Sequence, residues 1–328
     1  MEAKRAQLDR KDRRIIYELQ KNCRRSLGEI ARAVGISKQV LHYRIERLVS
    51  SRAILSFITL VDFGKLGFVN HEAWLQLSSA TKSEREAFMA SFASHQDVRL
   101  VAECSGKYDV LVGVLAKNIM QFNSILHDLI RKHPGMVKEC HISISSQFIA
   151  YPKTYLAGRE ERKKEFSISG EPVELETDEV ERKLLSLLSS NARMPVIELS
   201  KKAGVSPATV RAKIKRLEKE GIIAGYFAFV SHENIGQDNI EILATLRGMD
   251  EKKERELEEY CRSHPYSHSL LKCIGKWDID VAFDADDSRH FQEILSEFRD
   301  RFGSVIDEYE FVPIAGFRKF TYYSFSEK

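Results

Sequence analysis

From residue 10 the apolar positions fall at helical spacing. Ile15, Ile16 and Leu19 share one face behind Asp9, a residue type that caps helix starts. Leu27, Ile30, Ala31 and Val34 mark a short second helix, and Val40, Leu41, Ile45 and Leu48 are expected to face inward from a third. Gly35 suits a left-handed turn between these two helices, and Ser37 is placed to cap the last. Beyond residue 54 the pattern changes. Strands are predicted near 71–78, 98–105, 108–115 and 137–145, with helices near 82–94 and 119–132. That order, βαββαβ, is the ferredoxin-like split motif.

The whole pattern then occurs again. A shift of 169 positions aligns the two halves without a gap. Asp9, Asn22, Arg24, Gly35, Ser37, Ile45 and Arg47 meet Asp178, Asn191, Arg193, Gly204, Ser206, Ile214 and Arg216. The register survives to Cys104, Gly106, Lys107 and Asp109, which meet Cys273, Gly275, Lys276 and Asp278. In the second half, Leu184, Leu185 and Leu188, then Val196, Leu199 and Ala203, then Val210, Ile214 and Leu217 mark three helices. Strands near 240–247, 267–274, 278–283 and 305–312 and helices near 251–263 and 287–301 follow. Gly221 closes the third helix of this half; Arg52 stands there in the first, so a less clean helix end is expected. Segments 54–61 and 223–230 read as strands hinging each three-helix unit to its sheet. The fold class expected is α+β, with two copies of a winged or three-helix helix-turn-helix (HTH) domain, each followed by a ferredoxin-like βαββαβ domain. The boundaries expected are 1–56 and 177–226 for the HTH units, 57–155 and 227–328 for the ferredoxin-like domains, and 156–176, with Gly170 and Pro172, for a linker.

Charge separates the same units. Net charge is +3 over 328 residues, but residues 1–56 carry +8 and residues 177–226 carry +4, leaving the remainder near −9. Two basic segments on an acidic body suggest an anionic partner touched at two places. No apolar run reaches the ~18 residues of a membrane span, and MEAKRAQLDRKDRR lacks a signal-peptide core. The five cysteines are scattered and never in CxxC spacing, as expected of a reducing cytoplasm rather than a disulfide framework or zinc knuckle. No cofactor or metal is expected.

A short helix, a glycine turn and a capped helix of this size form the helix-turn-helix pattern, whose last helix lies in the DNA major groove. Its outward residues are read as Ser37, Lys38, Gln39, His42, Tyr43 and Arg47 in the first half. Gln39 suits an adenine edge, and Lys38 and Arg47 suit guanine or phosphate. The second half offers Ser206, Pro207, Ala208, Thr209, Arg211, Ala212 and Arg216, with Arg211 suited to guanine and Thr209 to a thymine methyl. Arg24, Arg25, Arg32, Lys201 and Lys202 are candidate phosphate contacts. The bland alternative is two solvated basic helices that never meet DNA.

Each half resembles the Lrp/AsnC family of bacterial and archaeal transcription regulators. The stretches that carry this are LDRKDRRIIYELQKNCRRSLGEIARAVGISKQVLHYRIERL and DEVERKLLSLLSSNARMPVIELSKKAGVSPATVRAKIKRLEKEGIIAGY. The resemblance implies a double-stranded DNA partner and an effector-sensing ferredoxin-like domain, with the sheets of two such domains packed face to face. In the family that pair forms between subunits; here one chain supplies both, as a pseudo-dimer that could assemble further into homo-oligomers. The unlike third helices then imply unlike half-sites. The turns GKYD and GKWD match the family's Gly-x-x-Asp turn beside its amino-acid effector pocket, which makes Gly106, Asp109, Gly275 and Asp278 effector candidates. A plain hairpin turn explains the same residues.

Two alternatives come from other classes. Sirohaem decarboxylases are similar in layout, but carry a His-rich strand and a Trp-Pro-Tyr-Asn stretch where this chain has VAECSGKYDVLV and LLKCIGKWDIDV. The expected histidine pair is absent from both copies. His264 and His268 come nearest and read as surface or turn residues, since Pro265 breaks a helical metal spacing. An architectural DNA-compacting protein would use the same basic helices without a fixed site. A regulator rather than an enzyme is the expectation.

Overall fold

The computed structural model describes residues 7–158, 165–169 and 172–323. In each half, three helices come first: α1 (Arg10–Lys21), α2 (Leu27–Val34) and α3 (Lys38–Ser50). The strand β1 (Ile54–Val61) leaves them. Then come β2 (Val69–Leu77), α4 (Lys82–Ala93), β3 (Val98–Cys104), β4 (Val110–Ala116), α5 (Ile119–Arg131) and β5 (Val137–Ala150). A short strand β6 (Phe166–Ser169) interrupts the expected linker, in which Gly170 lies outside the described residues. The second half supplies α6 (Glu179–Ser190), α7 (Val196–Ala203), α8 (Pro207–Lys219) and β7 (Ile223–Val230). After the one-turn α9 (His232–Ile235) follow β8 (Asp238–Leu246), α10 (Glu251–Ser263), β9 (Ser267–Gly275), β10 (Ile279–Ala285), α11 (Ser288–Phe302) and β11 (Ile306–Phe320).

The eight main strands close into one barrel, in the order β2-β4-β3-β11-β8-β10-β9-β5 and back to β2. Each half contributes a four-stranded ferredoxin-like sheet, and the two sheets face each other within one chain. β5 and β11 outrun their expected lengths because their far ends cross to the other half. Ser143–Ala150 pairs with β9, and Ile314–Phe320 pairs with β3. This closure leaves neither long strand with an open edge there. Helices α4 and α5 cover one sheet through Phe88, Phe92, Phe122 and Leu126; α10 and α11 cover the other through Leu257, Tyr260, Phe291 and Phe298.

β1 and β7 do not extend the barrel. They pair with each other antiparallel, Phe57 opposite Ala228 and Ile58 opposite Phe227, and make a separate ribbon. Against the ribbon α1 packs on β7 and α6 on β1, so each three-helix unit leans on the other's strand. The backbone contacts obey a pseudo-twofold: Cys23 N–H donates to Tyr226 O (3.0 Å), and Ala192 N–H donates to Phe57 O (2.9 Å). Asp62 N–H to Ile222 O and Ser231 N–H to Ala53 O form a second such pair. One continuous core runs through both units and the ribbon.

Arg52 does not fray its helix. It takes φ +58°, the left-handed conformation that Gly221 takes at +70° in the other half, so both third helices stop alike. For a residue with a Cβ this costs on the order of 1 kcal/mol. Val40, expected inward, is 43% exposed, while Leu41, Ile45 and Leu48 are buried as expected.

Candidate nucleic-acid interface and the barrel interior

The turn geometry follows from the caps. Ser26 and Glu29 form a reciprocal capping box at α2, Gly35 adopts φ +72°, and Ser37 Oγ accepts from Val40 N–H (3.2 Å) at the start of α3. In the second unit Pro195 replaces the capping serine, while Gly204 and Ser206 repeat the turn. Pro207 occupies the first position of α8, where its missing N–H costs nothing.

The outward row of α3 is Lys38, Gln39, His42 and Tyr43, all exposed, with Tyr43 at 65%. His42 Nε2 lies 3.3 Å from Glu46. On α8 the row is Ala208, Arg211, Ala212 and Lys215. Pro207 and Thr209 are half-buried, and the Thr209 hydroxyl is engaged with Ser206 Oγ (2.9 Å). Lys215 escaped the sequence reading although it stands four residues after Arg211, on the same helix face. Arg32, Lys201 and Lys202 are exposed, and Lys202 pairs with Glu198 at 3.1 Å.

Four of the arginines expected at DNA have partners within the chain. Arg47 turns back onto Asp12, a fully buried carboxylate at the third position of α1 that also accepts from Arg44 (2.8 Å). Arg216 does the same to Glu181, donating at 2.9 Å to each oxygen. Both arginines bind the third helix to the first. Arg24 donates to Ala192 O (2.5 Å) and lies over the Tyr226 ring, while its counterpart Arg193 donates to Cys23 O and lies over Phe57. These two clamp the units together. Arg25 pairs with Glu18 at 2.7 Å.

At the Gly-x-x-Asp turns the aspartates serve the backbone. Asp109 Oδ2 accepts from Leu77 N–H, and Asp278 Oδ2 from Leu246 N–H, each at 2.7 Å. Gly106 has open space beside it, whereas a Cβ at Gly275 would meet Ile142 O at 2.3 Å.

The barrel interior holds what the sequence reading missed. His268 is no surface residue: it lines an interior cavity, with Nε2 2.9 Å from Asn239 Oδ1 and 3.5 Å from Asp284. His264 packs over the Phe283 ring rather than into solvent. His232 Nδ1 reaches Asp284 Oδ1 at 2.7 Å, so two histidines from separate elements meet one buried aspartate, within reach of a shared metal ion. Lys153 Nζ (2.5 Å) and the Tyr155 hydroxyl (2.6 Å) hold the other oxygen. Burial opposes ionisation of Asp284, but the Lys153 ammonium and the imidazoles hold its pKa well below the usual carboxylate range. Burial and the same ammonium push His232 down.

Three family models match this chain. An AsnC-type helix-turn-helix domain matches residues 8–49, an Lrp/AsnC ligand binding domain residues 73–151, and a winged helix-turn-helix DNA-binding model residues 177–224. HTH-type transcriptional regulator FL11 of Pyrococcus abyssi is 34% identical over 133 residues, which span 40% of this chain and 85% of that protein. HTH-type transcriptional regulator LrpA of Pyrococcus horikoshii is 31% identical over 121 residues, 36% of this chain and 83% of its own length. Each relative thus corresponds to roughly one half of the duplication. Over the whole chain, the solved siroheme decarboxylase NirDL superposes with a TM-score of 0.61, covering 97% of this chain and 94% of that one at 12% identity, a likeness of fold. Capped helix-turn-helix units on a paired ferredoxin-like barrel define a DNA-binding regulator of duplicated build. The chain belongs to the Lrp/AsnC family of transcription regulators.

Proposed function

We propose that this chain is a sequence-specific transcription regulator that reads two unlike half-sites from a single intrachain pseudo-dimer. The observation carrying this is the ribbon. It joins two capped recognition helices about a pseudo-twofold, while their exposed faces differ: Lys38, Gln39, His42 and Tyr43 against Ala208, Arg211, Ala212 and Lys215. Operator symmetry mirrors protein symmetry, so unequal faces favour unequal half-sites. Arg32, Lys201 and Lys202 supply phosphate contacts, and Ser37, Ser206, Pro207 and Thr209 set each helix start at the groove. An effector at the GKYD or GKWD turn would share Asp109 or Asp278 with a backbone N–H. Selection from a random duplex library, with affinity followed against salt, tests the reading. A defined asymmetric site supports it; binding without enrichment supports an architectural protein.

A second reading, an enzyme of decarboxylase type, is favoured by one observation: His232 and His268 supply in one cavity the histidine pair absent from either copy's motif. A visible absorption band on adding an iron porphyrin tests it.

A further inference from the structure

The barrel interior is apolar at one end, packed with Trp74, Trp277, Leu243 and Val312. At the other, beneath β7, lies a cavity of about 120 Å³. One wall is aromatic, with Phe148, Phe227, Phe229, Phe317, Phe320 and Tyr322. Facing it are three carboxyl groups, Glu72, Glu241 and Asp280. The nearby cations do not answer all three. Arg99 is spent on Asn70 (2.5 Å) and Glu72 (3.0 Å), and Lys153 on Asp284. Asp280 is only 5% exposed; its carboxyl is hydrogen-bonded to that of Glu241, and no cation or N–H of a described residue answers its Oδ1. Two ionised carboxylates so placed would cost several kcal/mol, so the pair holds a proton.

The repeat shows that this imbalance belongs to one half. Glu72 and Glu241 occupy equivalent positions, but Arg99 corresponds to His268 and Leu111 to Asp280. The second half therefore lacks the guanidinium that pairs with Glu72 and carries an acid where the first half has leucine.

We propose that this cavity binds a small organic cation, its primary ammonium on Glu241 and Asp280 and its apolar or aromatic body against Phe227, Phe229 and Phe320, and that it is the effector site of the chain. The effector role rests on the regulator reading above; the binding site does not. A zwitterionic amino acid fits less well, since its carboxylate would find Arg99 and Lys153 already paired and three acids nearby. Burial pushes Glu241 up to about 7 and Asp280 well above its ordinary range, with Glu241 beside it adding to the rise. An ammonium takes the place of the proton the two acids otherwise hold. The coupling route is short. Residues 227–230 of β7 line the cavity, and β7 is the strand that leaves α8 for the barrel.

The test is calorimetric titration of the full chain with butylammonium, phenethylammonium and tryptammonium, against L-phenylalanine and 2-phenylethanol. At least one amine should bind at one site per chain, with phenylalanine and phenylethanol about tenfold weaker or worse. Asp280→Leu installs the residue that the first half carries. It should cost at least about tenfold in amine affinity, while circular dichroism and amine-free DNA binding match the parent. If Asp280→Leu fails to fold, Glu241→Gln should show the same loss. No millimolar binding by any amine, equal binding of the alcohol, undiminished affinity in both variants, or an iron porphyrin excluding the amines would overturn the proposal. Amine binding that leaves DNA affinity unchanged would overturn the effector role alone. A chain that binds amine but no DNA would sink the regulator reading and keep the site.

Discussion

Arg47→Ala separates cations that hold the third helix from cations that face outward. Asp12 is fully buried and accepts from Arg47, from Arg44 at 2.8 Å and from the Asp9 N–H at 3.1 Å. Stripping a buried charge of its partner costs about 3–5 kcal/mol, and a charge-assisted hydrogen bond is worth about 1.5–3 kcal/mol. Arg44 survives the substitution, and Arg47 is 44% exposed, so the loss should be about 1–2 kcal/mol. The assay pairs a urea titration with hydrogen exchange of the α1 amides, where the loosening should be local. DNA affinity at a temperature where the unit stays folded should change by less than about twofold, with an unaltered salt slope, because no phosphate contact is removed. Arg216→Ala should behave alike, since Glu181 keeps Lys213 at 3.4 Å and the Asp178 N–H at 3.0 Å. Unchanged stability together with a tenfold loss of affinity and a salt slope reduced by about one would refute the reasoning and return Arg47 to the DNA.

Other substitutions test other parts. Arg211→Ala should leave stability unchanged and weaken specific binding by about 1–3 kcal/mol, relaxing preference at one base, as read by competition with single-base variants of the site. Arg52→Gly should stabilise the first unit by about 1 kcal/mol in urea, since a left-handed residue loses its Cβ strain. Gly275→Ala should destabilise far more than Gly106→Ala: both glycines have positive φ, but only at Gly275 would the Cβ strike backbone, at Ile142 O. Burial raises the folded pKa of Glu241 to about 7 from an ordinary value near 4.5, so the folded chain binds the extra proton. Its contribution to stability is therefore present below about 4.5 and lost as pH rises toward 7. Glu241→Gln should flatten that fall in a series of urea titrations across this range.

Much of the fold was legible because it is local. Asp9, Ser37, Asp178 and Ser206 announce their helices and cap them, and the ferredoxin-like elements fall within a few residues of the periodicity. What escaped depends on contacts between halves. Nothing near β1 or β7 says that their partner lies 169 positions away. β6 is four residues inside a charged stretch, and its Phe166 ring packs where a Cβ on Gly225 would stand. On β10 the alternation of Ile279, Val281 and Phe283 with Asp280 and Asp284 reads as a half-solvated strand. The barrel closes over that polar face instead, so the acids that look solvated become the cavity. The inward turn of Arg47 and Arg216 did have a signal: each recurs together with an acid on the first helix, Asp12 or Glu181, at an identical separation.

The measurement that bears most directly on the account is selection of DNA by the purified chain from a random duplex library, followed by base-by-base competition in the recovered site. A defined sequence with two unlike half-sites is expected, one altered by Arg211→Ala and the other by substitution of Gln39 or Tyr43. Recovery of a perfect palindrome, or of no sequence at all, would contradict it.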